Sequence, residues 1–187
     1  IENLPDISDV STILKTMQSL GAQIRMINKS TVEIDPRHVN SFVVSKKMAE
    51  GMRASSYFLG ALLGRMLRAR VAPPGGCDFG VRPIDQHIKG FEALGAKMTI
   101  ENGMVDAKAM SLTGCLIYLD VVSVGATINI MLAAAKADGL TIIENAAREP
   151  HIVDLANFLN SMGANIMGAG TGVIKIRGVK HLSGADY

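Results

Sequence analysis

The sequence contains no tryptophan, and aromatic residues fill only 4% of its 187 positions. So few flat rings leave little for bases to stack on, and a formal charge of +2 gives no basic footprint for a phosphate backbone. Both shortages argue against nucleic acid as a partner. Cysteine is scarce too: Cys77 and Cys115 are the two present, too few for a disulfide framework or a metal site. No apolar run approaches the roughly 20 residues that span a bilayer, because Arg, Lys, Asp or Gly interrupts each candidate. No membrane partner is therefore expected. The opening residues carry neither a signal-peptide pattern nor an initiator Met, and two free thiols fit a reducing cytoplasm. What the chain does have is 48% hydrophobic residues and a mean hydropathy of +0.26, enough to fill the core of one domain over residues 1–187.

A pattern recurs three times at intervals of about 70 residues. Segments 4–24, 82–100 and 149–166 carry Leu20-Gly21-Ala22, Leu94-Gly95-Ala96 and Met162-Gly163-Ala164 near their ends. Ahead of each glycine, apolar residues recur at three-residue steps: Leu14, Met17, Leu20; Ile88, Phe91, Leu94; Ala156, Leu159, Met162. That spacing predicts one face of an amphipathic helix, stopped by a glycine and opened near Pro5, Pro83 or Pro150. Alternating stretches around Asn28-Lys29, Asn102-Gly103 and 168–172 then predict a β-hairpin after each helix. Between these pieces, 41–44 and 116–119 read as strands leading into helices over 52–67 and 124–137, with strands returning at 69–72 and 141–144. The second helices are almost free of charge over 55–63 and 124–135, as expected of helices covered on all sides.

Only two copies of the strand-helix piece accompany three of the helix-hairpin piece. Ile1-Glu2-Asn3 also matches Ile143-Glu144-Asn145 at the end of a returning strand. The expectation is an α/β domain of pseudo-threefold repeats, helices inside and mixed sheets outside, with one repeat incomplete and a strand-helix unit preceding Ile1.

The thiol of Cys77 stands in Gly75-Gly76-Cys77-Asp78-Phe79-Gly80-Val81-Arg82-Pro83-Ile84-Asp85. Glycines before and after it permit backbone paths closed to other residues and let a small substrate approach. Arg82 favours the thiolate if it points toward the sulfur, and the thiolate is the nucleophile.

That segment, with Met52-Arg53-Ala54-Ser55, Ser123-Val124-Gly125-Ala126-Thr127 and Glu144-Asn145-Ala146-Ala147-Arg148-Glu149-Pro150, resembles the UDP-N-acetylglucosamine 1-carboxyvinyltransferase family, the enolpyruvyl transferases of peptidoglycan synthesis. The resemblance runs in order through the whole chain. It implies an inside-out α/β barrel, one of two such domains that close on their substrates. It implies transfer of the enolpyruvyl group from phosphoenolpyruvate to the 3-hydroxyl of UDP-N-acetylglucosamine, with no cofactor and no metal. Cys77 would be the catalytic acid and covalent adduct site, on a loop that closes over the substrate. Arg82 would meet phosphoenolpyruvate, and Pro83, Ile84, Asp85 and Gln86 would line the uridine side. Arg53, Ser123, Val124 and Gly125, at the starts of the uncharged helices, would hold anionic ligand. The family's second domain carries further arginines and an acidic residue near the sugar hydroxyl, so the isolated chain is expected to be inactive or nearly so.

Other residues read as ordinary. His87 reads as a capping or solvated residue of a first helical turn, and His38, His151 and His181 lack acidic or cysteine-rich surroundings. Cys115 reads as a packed strand thiol, and the glycines of 168–172 as a hairpin turn. Two alternatives remain beside the leading reading: a non-catalytic nucleotide-sugar-binding or regulatory fragment of the same fold, and the sister enolpyruvyl transferases that act on shikimate 3-phosphate.

Overall fold

Three-residue apolar spacing winds each of the recurring segments into a helix, and a left-handed glycine ends each one. The computed structural model describes residues 1–49, 52–73 and 83–187, with Arg53 by its backbone alone. Its elements in order are α1 (Ser8–Ser19), β1 (Gln23–Asn28), β2 (Thr31–Asp35), β3 (Val43–Val44), α2 (Lys46–Ala49), a 3-10 turn (Arg53–Ser56), α3 (Tyr57–Met66), β4 (Arg68–Val71), α4 (Asp85–Ala93), β5 (Lys97–Glu101), β6 (Met104–Lys108), β7 (Leu116–Tyr118), α5 (Val124–Ala134), β8 (Leu140–Glu144), α6 (Pro150–Ser161), β9 (Asn165–Met167) and β10 (Val173–Arg177). Gly21, Gly95 and Gly163 follow α1, α4 and α6 with φ of 105°, 98° and 99°, a conformation in which any Cβ is strained.

Two sheets share one topology. In the orders β3-β4-β6-β5 and β7-β8-β10-β9, the first pair is parallel and the other two are antiparallel. A helical crossover joins each parallel pair, α3 between β3 and β4 and α5 between β7 and β8. Among the described residues the third sheet holds β1 and β2 only. The threefold pattern is therefore present with one member short. Beside β2, Ile1 exchanges both backbone hydrogen bonds with Val32, and Asn3 adopts φ of 57°. Ile143 pairs with Ile174 in the corresponding place, and Asn145 adopts 56°.

Helices gather between the sheets, and α5 lies deepest, with eight of its eleven residues buried. Its neighbours approach it through glycines. A Cβ on Gly60 would stand 2.2 Å from Asn129 O, one on Gly64 2.9 Å from Leu132 O, and one on Gly90 2.3 Å from Ile130 Cδ1. Asn129 converts the closest of these contacts into a bond: its Oδ1 accepts Gly60 N–H at 2.8 Å, and its Nδ2 donates to Gly125 O.

The expectation that both uncharged helices are covered on all sides needs correction. α5 is enclosed, whereas α3 exposes Ala61 and Arg65 and leaves Phe58 half-buried. A shallow apolar cleft between Met17, Leu20 and Val39 on one side and Phe58, Ala61 and Leu62 on the other follows that open face. No helix of the described residues is long and apolar enough to cross a membrane.

Candidate substrate-binding site

One end of the helical layer opens into a cavity of about 500 Å³. It is built from the opening turns of four helices: Asp9 of α1, Ala54, Ser56 and Tyr57 leading into α3, Pro83, Ile84 and His87 around the start of α4, and Ser123, Val124 and Gly125 at the start of α5. The first amides of a helix have no intrahelical acceptor and lie at the positive end of its dipole. At α5 the Ser123 hydroxyl caps one of them, accepting Ala126 N–H at 3.3 Å. Thr127 braces the same turn, donating to Ser123 O at 2.8 Å and accepting Ala147 N–H. With no acidic residue in the first turn of α5, the wall there favours anions.

Five of the residues expected from sequence meet in this cavity: Pro83, Ile84, Ser123, Val124 and Gly125. Asp85 and Gln86 do not line it. Gln86 is buried with its amide fully used, because Oε1 accepts Asp120 N–H at 2.9 Å while Nε2 donates to Asp85 Oδ2 at 2.9 Å and to Asp120 Oδ2 at 3.3 Å. Lys89 completes the arrangement with an ion pair to Asp120 at 2.7 Å. Chiefly through the Gln86 hydrogen bond, the Asp85 carboxyl titrates below the usual carboxylate range; Asp120 does so through Lys89 first and Gln86 second. Cys77, Arg82 and the side chain of Arg53 lie outside the described residues.

His87 corrects the sequence reading most. It is neither solvated nor a cap, but 8% exposed in the cavity wall, and burial pushes its imidazole below the ordinary histidine value against a weaker opposing pull from Asp85. A signal for this was present: His87 stands four residues before Phe91 and seven before Leu94, on the buried stripe of α4. Cys115 is also less enclosed than expected. It is half-buried just ahead of β7, its Sγ donating to Ala93 O at 3.2 Å, and burial pushes its thiol up. Among the described residues no cluster of three or more His, Cys, Asp or Glu could hold a metal ion.

Comparison with known proteins gives this geometry a family. The chain is 58% identical over 187 residues to UDP-N-acetylglucosamine 1-carboxyvinyltransferase 3 of Caldanaerobacter subterraneus subsp. tengcongensis, and 54% identical to UDP-N-acetylglucosamine 1-carboxyvinyltransferase 2 of Bacillus subtilis. All of this chain is matched in both, against 45% and 43% of those proteins, so it spans less than half the length of these curated relatives. The crystal structure of the enolpyruvyl transferase NikO from Streptomyces tendae superposes with a TM-score of 0.79 at 24% identity, covering 95% of this chain and 42% of that one. EPSP synthase from Acinetobacter baumannii superposes at 0.70 with 20% identity, over 93% and 40%. These likenesses establish the inside-out α/β fold. The family profile described as EPSP synthase (3-phosphoshikimate 1-carboxyvinyltransferase) matches residues 1–187, and the chain belongs to that family.

Proposed function

We propose that this chain takes part in transferring the enolpyruvyl group from phosphoenolpyruvate to the 3-hydroxyl of UDP-N-acetylglucosamine, the first committed step of peptidoglycan precursor synthesis. The observation that carries the reading is the cavity where Pro83 and Ile84 face the start of α5. An apolar ledge in the same cavity as the Val124 and Gly125 amides, which have no intrahelical acceptor, suits a ligand with a flat base at one end and a diphosphate at the other. Identity of 54–58% to proteins named for this reaction favours the nucleotide sugar over shikimate 3-phosphate as acceptor.

In this reading Ser123, Val124 and Gly125 receive the diphosphate, with Arg53 adding charge, and Pro83 and Ile84 hold the uridine. Asp85 and Gln86 serve that side indirectly, through the bonds that fix the start of α4. Arg82 binds phosphoenolpyruvate and stabilises charge on its phosphate as the carbon–oxygen bond breaks. The Cys77 thiol gives its proton to C3 of phosphoenolpyruvate while the sugar oxygen adds to C2 and loses its own proton to a base. Removal of a proton from C3 then expels phosphate and restores the double bond. If sulfur instead of the sugar adds to C2, the thioether adduct of phosphoenolpyruvate results. This is acid–base and addition–elimination chemistry, for which no cofactor is needed, and a reducing cytoplasm would keep the thiol available. A second domain of the same fold is proposed to close over the substrates and supply the base. Phosphate release by the 187-residue chain alone should therefore stay near background, and ordinary turnover would overturn that requirement.

The deciding measurement is mass spectrometry of the chain after incubation with phosphoenolpyruvate and UDP-N-acetylglucosamine, for wild type and Cys77→Ser. An adduct of phosphoenolpyruvate mass on wild type alone is expected. Its persistence in Cys77→Ser, or its location on Cys115, would overturn the role given to Cys77. Cys115 should stay unmodified at neutral pH, since its raised pKa leaves little thiolate.

A further inference from the structure

His87 has unfilled hydrogen-bonding capacity beside an anion-favouring surface. Its Nδ1 is buried without a partner among the described residues, and its Nε2 lies 3.0 Å from where a Cβ on Gly125 would stand. The ring therefore lies against the first turn of α5, close enough that a Cβ at position 125 would crowd it. That turn presents the Val124 and Gly125 amides, which have no intrahelical acceptor, and His87, Val124 and Gly125 line the same cavity. A neutral ring in this place offers one donor; a protonated ring offers two and a positive charge.

We propose that His87 is the proton-accepting anion receptor of this cavity: when a phosphate group seats on the first turn of α5, the imidazole takes a proton from solvent and donates to it. The proposal rests on reading the cavity as a nucleotide-sugar site. Burial keeps the empty-site ring neutral near physiological pH, and an adjacent anion reverses that preference by favouring the charged form. The titratable groups around the ring are Asp85 on α4, Asp9 on α1 and Tyr57 on α3; the side chains of Arg53 and Arg82 lie outside the described residues. Ligand prefers the protonated ring, so affinity rises as pH falls from the ligand-bound pKa to the free one and is level outside that window. Within it the change approaches about tenfold per pH unit. A nucleotide diphosphate stays fully ionised near neutrality, so this linkage originates in the protein.

The test is an NMR titration of the His87 imidazole in the wild-type chain, free, with UDP-N-acetylglucosamine and with inorganic pyrophosphate, while the Val124 and Gly125 amides report binding. A His87 pKa that starts below the ordinary value and rises when the nucleotide sugar binds supports the proposal. Perturbed amides with an unmoved His87 pKa overturn it and leave the functional reading intact. Pyrophosphate raising the pKa while the nucleotide sugar leaves both probes untouched supports the receptor and overturns the nucleotide-sugar reading. If neither compound perturbs the amides at millimolar concentration, both fall. As a second arm, His87→Gln keeps a donor and an acceptor without the charge; its nucleotide-sugar affinity should become independent of pH, and unchanged pH dependence in a folded variant would overturn the proposal.

Discussion

Gln86 holds two chain segments together with one side chain. Its bonds to Asp85 and to both ends of Asp120 fasten the start of α4 to the strand end that leads into α5, so it sets the separation between Pro83 and Val124 without lining the cavity. Gln86→Leu removes the acceptor of the part-buried Asp120 N–H, a loss of about 0.5–1.5 kcal/mol. Urea unfolding should register it together with weaker nucleotide-sugar binding; intact binding would show that the two segments hold their places independently. His87 has an effect of its own on stability. Because its folded pKa lies below the unfolded value of 6.5, its contribution is fully present above that value and is lost as pH falls from there through the lowered folded pKa. Melting temperature should drop over that acidic window, and the drop should shrink in His87→Gln. The motif led to Gln86 by its position, but chain position does not say which way a side chain turns. The stripe through Phe91 and Leu94 did carry that information for His87.

Among the elements, α5 depends most on its neighbours' glycines. Replacing Gly60 by Ala would set a methyl group 2.2 Å from Asn129 O, so α3 and α5 would have to separate and strain the Gly60 N–H bond to Asn129. A loss of about 1–3 kcal/mol is expected from such overpacking, measurable by thermal or urea unfolding, and a neutral substitution would mean the helix pair repacks freely. The three glycine-terminated helices and their hairpins were legible because periodicity and positive-φ signals are local. Asn102 and Gly103, with φ of 53° and 69°, make the two-residue turn their sequence specifies. The open face of α3 was not legible: an uncharged helix reads alike whether or not another element covers it. Nor was α2, a single turn of Lys46–Ala49 with little periodicity to reveal it.

Across the whole molecule, the sheets are unequal in what surrounds them. Among the described residues β1 and β2 pair with each other and with Ile1 alone, whereas β4, β6, β8 and β10 each have a strand on both sides. Amide exchange should be slowest in α5 and in those inner strands and fastest among strands in the β1–β2 hairpin; equal protection in all three sheets would contradict this ranking. The opening turns of α1, α3, α4 and α5 share one cavity. Asp9 and Asp85 offset the partial positive charge of α1 and α4, whereas α3 and α5 have no acidic residue in their first turns. About half an elementary charge from each of these two helices is therefore left at one pole of a chain whose formal charge is only +2. Such a pole acts at a distance, before any contact forms. It should guide a multiply charged ligand inward, raising its rate of arrival at low ionic strength and losing that advantage once the Debye length contracts.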